Sequence, residues 1–165
     1  MKKLFLLPLA MLALASCNPA TPAKAPVDFT ITKANCKVGT DNLPAATQIE
    51  YELSTGEKFK LEWSAGCFEY GKYDEIGVAK TNGYVKLVSL PAGRKVASLS
   101  LDFYKYENAK VYASEGGAEI TGEAGTPSGL TDGIMKDYTI NGSSFYIGNS
   151  SSYAQAFYSI TVHLK

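Results

Sequence analysis

The sequence predicts an all-β protein, an antiparallel β-sandwich of jelly-roll type. Apolar residues alternate with polar ones along most of the chain, and no stretch keeps helical periodicity for three turns. Turn-forming pairs rich in glycine, proline, asparagine and aspartate separate the short alternating segments. Many short strands without intervening helices favour two packed antiparallel sheets.

The first predicted hairpin lies in "TQIEYELSTGEKFKLEW", residues 47–63. A loop over 54–56, with Gly56 at positive φ, would place Tyr51 opposite Phe59. The same register places Ile49 opposite Leu61. It also sets Glu50 and Glu52 opposite Lys60 and Lys58, so apolar pairing and charge pairing agree.

Further strands are predicted at eight segments: VDFTITK (27–33), GYVKLVSL (83–90), KVASLSLDFY (95–104), AKVYAS (109–114), AEITG (118–122), KDYTI (136–140), SFYIG (144–148) and AFYSITVHL (156–164). Separating turns are expected at 91–93, 116–117, 132–133 and 141–142. In the last strand, alternation assigns Tyr158, Ile160, Val162 and Leu164 to the buried face. In KVASLSLDFY, it assigns Ala97, Leu99, Leu101 and Phe103 to the core.

The order of segments from Gly83 to Leu164 resembles the carbohydrate-binding-like, discoidin-related β-sandwich modules of secreted and surface proteins of bacteria. Its most suggestive part is the final strand FYSITVHL, entered from a serine-rich loop and Ala154-Gln155-Ala156. The resemblance covers about half of the chain and rests on strand pattern. It implies a module that binds a glycan or a partner surface without catalysis.

The N-terminus has the parts of a secretory signal, with Lys2 and Lys3 followed by an apolar run from Leu4 to Leu14. A spanning helix needs about 20 apolar residues, so this run is too short. The end of the run, Leu14-Ala15-Ser16-Cys17, resembles the lipobox of bacterial lipoproteins, which implies acylation of Cys17. The alternative is an ordinary signal peptide cleaved near the same place.

The domain organisation follows from this signal. Residues 1–16 are the expected lipoprotein signal peptide, and 17–27 the lipidated cysteine with a Pro/Ala-rich tether. Residues 28–165 form one β-sandwich domain. The resemblance places the protein in the bacterial cell envelope, anchored to a membrane and facing the periplasm or the exterior. Asn18 after the cysteine, rather than aspartate, would permit outer-membrane sorting in a diderm cell.

Two cysteines remain after Cys17, namely Cys36 and Cys67. In an exported protein, we expect them to form a disulfide that closes a loop of about 30 residues. Two free buried thiols or a metal pair are the alternatives. A metal pair would need more ligands, and the only histidine, His163, is far away in sequence.

Charge and motifs argue against several functions. The chain has 16 basic and 16 acidic residues. Cleavage of the expected signal would remove Lys2 and Lys3, which leaves 14 basic against 16 acidic residues and a formal charge of −2. No basic cluster indicates nucleic-acid binding. No GxSxG, HExxH, P-loop or dinucleotide motif is present, and His163 is expected on the outer face of its strand. We therefore expect a non-catalytic protein.

No cofactor is expected, apart from a structural calcium ion that Asp132 and Asp137 could share with backbone carbonyls. The alternative is that Asp132-Gly133 simply forms a turn.

Tyrosine is abundant, with 11 residues against one tryptophan. A tyrosine ring can pack on a sugar ring while its hydroxyl forms hydrogen bonds, and ordering it costs little entropy. The candidate ligand-binding residues are Tyr104, Tyr106, Tyr146, Asn149 and Tyr153. Alternatively, these rings cover sheet edges or pack under loops.

Two functions remain from this reasoning. One is a lipid-anchored module that binds glycan or polysaccharide through exposed tyrosines, and it requires several rings on one face. The other is a structural or assembly lipoprotein that docks an envelope protein, and it requires an apolar patch or a long unprotected edge strand.

Overall fold

The protein folds into two antiparallel β-sheets packed face to face. The computed structural model describes residues 23–69, 74–105, 109–114, 134–150 and 152–165. Within these ranges the regular structure is entirely β, which confirms the predicted antiparallel sandwich. No helix among them is long and apolar enough to cross a membrane.

The strands, numbered along the described chain, are β1 Val27–Ile31, β2 Thr47–Glu52, β3 Lys58–Trp63, β4 Phe68–Glu69, β5 Ile76–Val78, β6 Gly83–Ser89, β7 Val96–Lys105, β8 Ala109–Tyr112, β9 Ile134–Gly142, β10 Tyr146–Asn149 and β11 Gln155–Leu164. The short strands β4 and β5 were not predicted, because two or three residues show no readable alternation. The predicted segment 118–122 lies outside the described residues.

One sheet has the order β4-β5-β11-β7-β9, and β1 also pairs with β11. The strands β1 and β5 share one edge of β11, with β5 along residues 155–157 and β1 along 160–164. The other sheet has the order β2-β3-β6-β10-β8. We call them the β11 sheet and the β6 sheet. These strand orders establish a β-sandwich. The jelly-roll connectivity stays a prediction.

The predicted first hairpin is confirmed residue by residue. Tyr51 pairs with Phe59 and Ile49 pairs with Leu61, as the alternation required. Gly56 closes the loop at φ 79°. The register also sets Glu50 opposite Lys60, but its shorter ion pair is the diagonal one, 2.9 Å to Lys58.

The core lies between the sheets and is rich in aromatic rings. Phe29, Tyr51 and Phe59 pack together, with ring centroids 5.1 to 5.6 Å apart. The buried Tyr51 hydroxyl donates to the Cys36 carbonyl at 2.6 Å and accepts from Trp63 Nε1 at 3.0 Å. This pair of hydrogen bonds ties the loop after β1 to the first hairpin.

Irregularities between β11 and β7 change which residues face the core. Register shifts flank Phe157 and Ser159, and another separates Val96 from Ser98. As a result Phe157 is fully buried and Tyr158 is half-buried, the reverse of the predicted assignment. Val96 likewise occupies the core in place of Ala97. A bulge adds a residue to one strand and so inverts the alternation beyond it.

A cluster of charged groups closes one end of the sandwich. The buried Arg94 donates to Glu57 Oε2 through Nε at 3.0 Å and Nη2 at 2.5 Å, and to the Ala25 carbonyl through Nη1 at 2.5 Å. Lys24 donates to Glu57 Oε1 at 2.5 Å and to the Ala92 carbonyl at 2.7 Å. We call Lys24, Ala25, Glu57 and Arg94 the clasp, because they hold the chain before β1 against the hairpin loop.

Replacing Tyr51 by phenylalanine should destabilise the fold by about 1 to 3 kcal/mol, because the Cys36 carbonyl loses its buried donor. The matched control is Tyr112→Phe on the half-buried outer surface, expected within about 0.5 kcal/mol of wild type. Urea unfolding of both variants measures the difference. Equal stability of the two would show that the Tyr51 hydrogen bonds contribute nothing net.

The clasp predicts a loss of stability in acid. Hydrogen bonds from Arg94, then from Lys24 and Thr55, lower the pKa of Glu57 to about 2. A lowered folded-state pKa stabilises the fold above the unfolded value of 4.5 and loses that effect as pH falls toward 2. Melting temperatures measured from pH 6 to pH 2 should therefore fall less steeply in Glu57→Gln than in wild type. Parallel curves would contradict the assignment.

Candidate functional site

Three tyrosines form a continuous surface on the outer face of the β6 sheet. Tyr84 comes from β6, Tyr146 from β10 and Tyr112 from the edge strand β8. The Tyr84 and Tyr146 rings stack with centroids 5.3 Å apart, and Tyr112 meets Tyr146 edge-on at 5.8 Å. We call these three residues the tyrosine surface. All three are half-buried, so the rings lie against the sheet with part of their area open to solvent.

Tyr146, in the middle of the tyrosine surface, is positioned by a glycine two residues later. Gly148 is the next outward position on β10, and a Cβ added there would lie 2.8 Å from Tyr146 Cε1. The Tyr146 ring therefore lies over a part of the strand that has no side chain. This contact fixes the ring before any ligand arrives, which reduces the entropy that binding would cost.

A hydrogen-bonded polar group borders the tyrosine surface on the β3 side. The Tyr84 hydroxyl donates to Glu62 Oε1 at 2.8 Å, and Gln48 Nε2 donates to Glu62 Oε2 at 3.2 Å. These hydrogen bonds lower the pKa of Glu62. Lys86 Nζ lies 3.2 Å from Glu62 and 5.1 Å from the Tyr84 ring centroid. The side chains that border the tyrosine surface thus hold hydrogen-bond donors and acceptors in fixed positions, and the charge of Glu62 is balanced by that of Lys86.

An open depression adjoins the tyrosine surface. It has a volume of about 110 Å³ and is lined by Asn82, Gly83, Lys110, Tyr112, Tyr146, Gly148, Asn149 and Ser150. Pockets that enclose small molecules usually measure about 300 to 1,000 Å³. The depression is too small to enclose such a ligand, and its shape suits a flat group that lies across the surface.

The predicted candidate residues do not form one site. Tyr104 lies on the outer face of the opposite sheet, where its ring meets Tyr158 edge-on at 5.5 Å. Tyr146 belongs to the tyrosine surface, and Tyr153 is 61% exposed in the connection between β10 and β11. Tyr106 lies outside the described residues. Of these tyrosines, only Tyr146 belongs to a cluster of rings on the β6 sheet.

Asn149 lines the depression, and its side-chain nitrogen is used by the fold. Its side chain is buried, and Nδ2 donates to the carbonyls of Val78 at 3.3 Å, Ala79 at 2.9 Å and Tyr153 at 2.8 Å. The amide therefore joins the end of β5 to the loop before β11. A side chain that satisfies three backbone acceptors cannot also turn its nitrogen to a ligand.

The outer face of the β11 sheet carries a chain of hydrogen bonds that includes the single histidine. Asp28 Oδ1 lies 2.8 Å from His163 Nδ1, and His163 Nε2 lies 2.8 Å from Ser100 Oγ. Ser100 Oγ in turn donates to Asp137 Oδ1 at 2.5 Å. The histidine is half-buried on the outer face of its strand, as expected.

This chain has the residue types of a hydrolytic triad, with a second carboxylate beside the serine. In a triad the serine hydroxyl gives its proton to the histidine. Here Ser100 Oγ also lies 2.5 Å from Asp137 Oδ1, an acceptor that competes with His163 for the one hydroxyl proton. The four residues come from four neighbouring strands, β1, β11, β7 and β9, and cross-link their outer faces. The arrangement is therefore a cross-strand network.

A metal site receives no support from the described residues, where no group of three or more His, Cys, Asp or Glu side chains is placed to hold an ion. The predicted calcium partners are divided. Asp137 accepts from Ser100, whereas Asp132 lies outside the described residues. The calcium site stays a prediction.

The predicted disulfide between Cys36 and Cys67 is wrong for this structure, in which both cysteines are buried and free. Cys36 Sγ donates to Glu69 Oε1 at 3.0 Å. Cys67 Sγ lies 3.4 Å from Ser64 Oγ and 3.8 Å from the Tyr84 carbonyl. Each thiol thus has its own polar neighbours. Sequence spacing set the loop length but could not show where the side chains point.

Comparison of the chain with protein-family models, curated proteins and solved structures finds no match. The likeness of residues 83–164 to discoidin-related modules therefore rests on the strand pattern alone. The likeness of Leu14-Ala15-Ser16-Cys17 to a lipobox rests on the sequence alone, because these residues lie outside the described part of the chain.

Sequence reasoning missed Tyr84 and Tyr112 as members of the site. The alternation in GYVKLVSL already places Tyr84 on the face opposite Val85 and Leu87. The order of the strands was the missing information. The strand β10 lies between β6 and β8, which are far from it in sequence, and only this order brings the three rings together.

The two thiols should resist alkylation in the native protein. Burial raises the pKa of Cys36 to about 12 and also raises the pKa of Cys67, so little reactive thiolate forms at pH 8. In a Cys17→Ser variant, we expect no iodoacetamide adduct in buffer and two adducts in denaturant without reductant, read by mass spectrometry. If the two adducts formed in denaturant only after reduction, the predicted disulfide would be correct.

Proposed function

We propose that this chain is a membrane-anchored, non-catalytic binding module of the bacterial cell envelope, and that it binds glycan chains through the tyrosine surface. The observation that carries the proposal is the contiguity of Tyr84, Tyr146 and Tyr112 beside an open polar depression. Aromatic faces with hydroxyl groups at their edges suit sugar rings, which have apolar C–H faces and polar rims.

The anchoring part of the proposal rests on the sequence. A basic and apolar N-terminus leads into Leu14-Ala15-Ser16-Cys17, and a Pro/Ala-rich stretch separates Cys17 from the first strand. Several acyl chains on one cysteine would hold the protein stably at a bilayer, since a single chain is marginal.

The non-catalytic part is supported by the sequence, which contains no GxSxG, HExxH, P-loop or dinucleotide motif. In the row of Asp28, His163, Ser100 and Asp137, the serine hydroxyl lies against the Asp137 carboxylate as well as the His163 ring. The surroundings are also unsuitable, because these side chains stand on the outer face of a sheet whose backbone amides pair with neighbouring strands.

A second candidate function is a structural or assembly lipoprotein that docks an envelope protein. One observation favours it: β9 pairs only with β7 within the described residues and runs for nine residues along the edge of the β11 sheet. Met135 on this strand is 57% exposed. An edge of that length can accept a strand from a partner.

A glycan array probed with the folded domain tests the first function. We expect binding by wild type, and a loss of affinity of about tenfold or more in Tyr146→Ala, because truncating a central aromatic contact costs about 2 kcal/mol. Tyr146→Phe keeps the ring and should retain most of the affinity.

The matched control is Tyr104→Ala, since Tyr104 is also a half-buried tyrosine but lies on the opposite sheet. Its affinity should equal that of wild type. Equal losses in both alanine variants, or no bound glycan, would refute the tyrosine surface as the site. Capture of one envelope protein that a Met135→Lys change abolishes would favour the second candidate instead.

A further inference from the structure

The clasp fixes the place where the chain enters the sandwich. Lys24 and Ala25 are held by Glu57 in the first hairpin loop, by Arg94 and by the Ala92 carbonyl in the turn between β6 and β7. At the same end, the backbones of Lys95 and Lys165 exchange two hydrogen bonds of 2.9 Å. We call this end of the sandwich the clasp end.

The tyrosine surface extends from the middle of β6 toward the opposite end. The strand β6 begins at Gly83 and runs to Ser89, which leads into the turn at the clasp end. Tyr84 stands five residues before Ser89, roughly 17 Å along the strand. Tyr146 pairs with Lys86 at the middle of β6, and Tyr112 pairs with Tyr146 at the same level, so Tyr84 is the member of the tyrosine surface farthest from the clasp. The exposed Tyr153 follows β10 at the end remote from the clasp.

The chain between the proposed anchor and the clasp is short. Six residues lie between Cys17 and Lys24, and the seven steps from one Cα to the other span at most about 25 Å when the chain is extended. An acylated Cys17 would therefore keep the clasp end within about 25 Å of the bilayer. Lys95 and Lys165 are exposed there, and their positive charges suit anionic headgroups.

We propose that the clasp end faces the bilayer and that the clasp orients the domain so that the tyrosine surface is presented away from the membrane. This inference rests on the proposed lipid anchor at Cys17. It goes beyond that anchor, because a free tether would let any face of the domain meet the membrane. With residues 24 and 25 held, only the residues before them can act as a tether.

Fluorescence quenching on vesicles tests the orientation. A probe is attached at Ser54→Cys in the hairpin loop or at Lys80→Cys beyond β5, both exposed positions at opposite ends. The full acylated chain is reconstituted in phosphatidylcholine vesicles with a minority of phosphatidylglycerol and a headgroup-attached quencher. We expect at least about twofold stronger quenching at position 54, because about the length of β6 separates the two positions.

The clasp is tested with Glu57→Gln, which removes the charge that Arg94 and Lys24 share. The difference in quenching should shrink in this variant, with circular dichroism confirming the fold. The control is Glu50→Gln, which removes an exposed carboxylate paired with Lys58 outside the clasp. It should keep the wild-type difference.

The outcomes separate this inference from the proposed function. Mass spectrometry first establishes whether Cys17 carries acyl chains. An unacylated Cys17 would overturn both the anchor and the orientation. With acylation present, equal or reversed quenching at positions 54 and 80 would overturn the orientation alone. An unchanged difference in Glu57→Gln would show that the clasp does not set it. None of these results bears on glycan binding by the tyrosine surface.

Discussion

The antiparallel pairing of β11 with β7 is the constraint on which much of the structure depends. The strand β11 pairs with β7 on one edge and with β1 and β5 on the other, so one strand joins the N-terminal, middle and C-terminal parts of the chain. The irregular register around Phe157 then decides which rings enter the core. Phe157 packs against Phe103 inside, with ring centroids 4.8 Å apart, and Tyr158 meets Tyr104 outside. A sheet that alternates strictly would have exchanged these roles.

The two outer faces of the sandwich have different chemistry. The β11 sheet presents a hydrogen-bonded row from Asp28 to Asp137, in which the polar groups satisfy one another across four strands. The β6 sheet presents three tyrosine rings that contact one another and are bordered by Glu62 and Lys86. Desolvating a ring costs far less than desolvating a paired carboxylate. Recognition of an external ligand is therefore easier at the β6 sheet, which is why the proposed site is there.

The clasp fixes the end at which the chain enters the sandwich, and none of its residues belongs to the tyrosine surface. Arg94 is buried at the end where the chain enters, and three of its five N–H donors are used by Glu57 and the Ala25 carbonyl. A buried arginine is stable only when its donors are satisfied, so the segment before β1 has to remain in place. The fold thereby fixes the point at which the chain enters the sandwich.

The sequence by itself determined the fold class, the register of the first hairpin and the outward direction of Tyr146, because alternation and turn chemistry are local properties. It could not determine the strand order that unites Tyr84, Tyr112 and Tyr146, the bulges that bury Phe157, or the separate environments of Cys36 and Cys67. Nor could it show that Asn149 is committed to three carbonyls. These features depend on contacts between residues far apart in the chain, which only the packing of the two sheets decides.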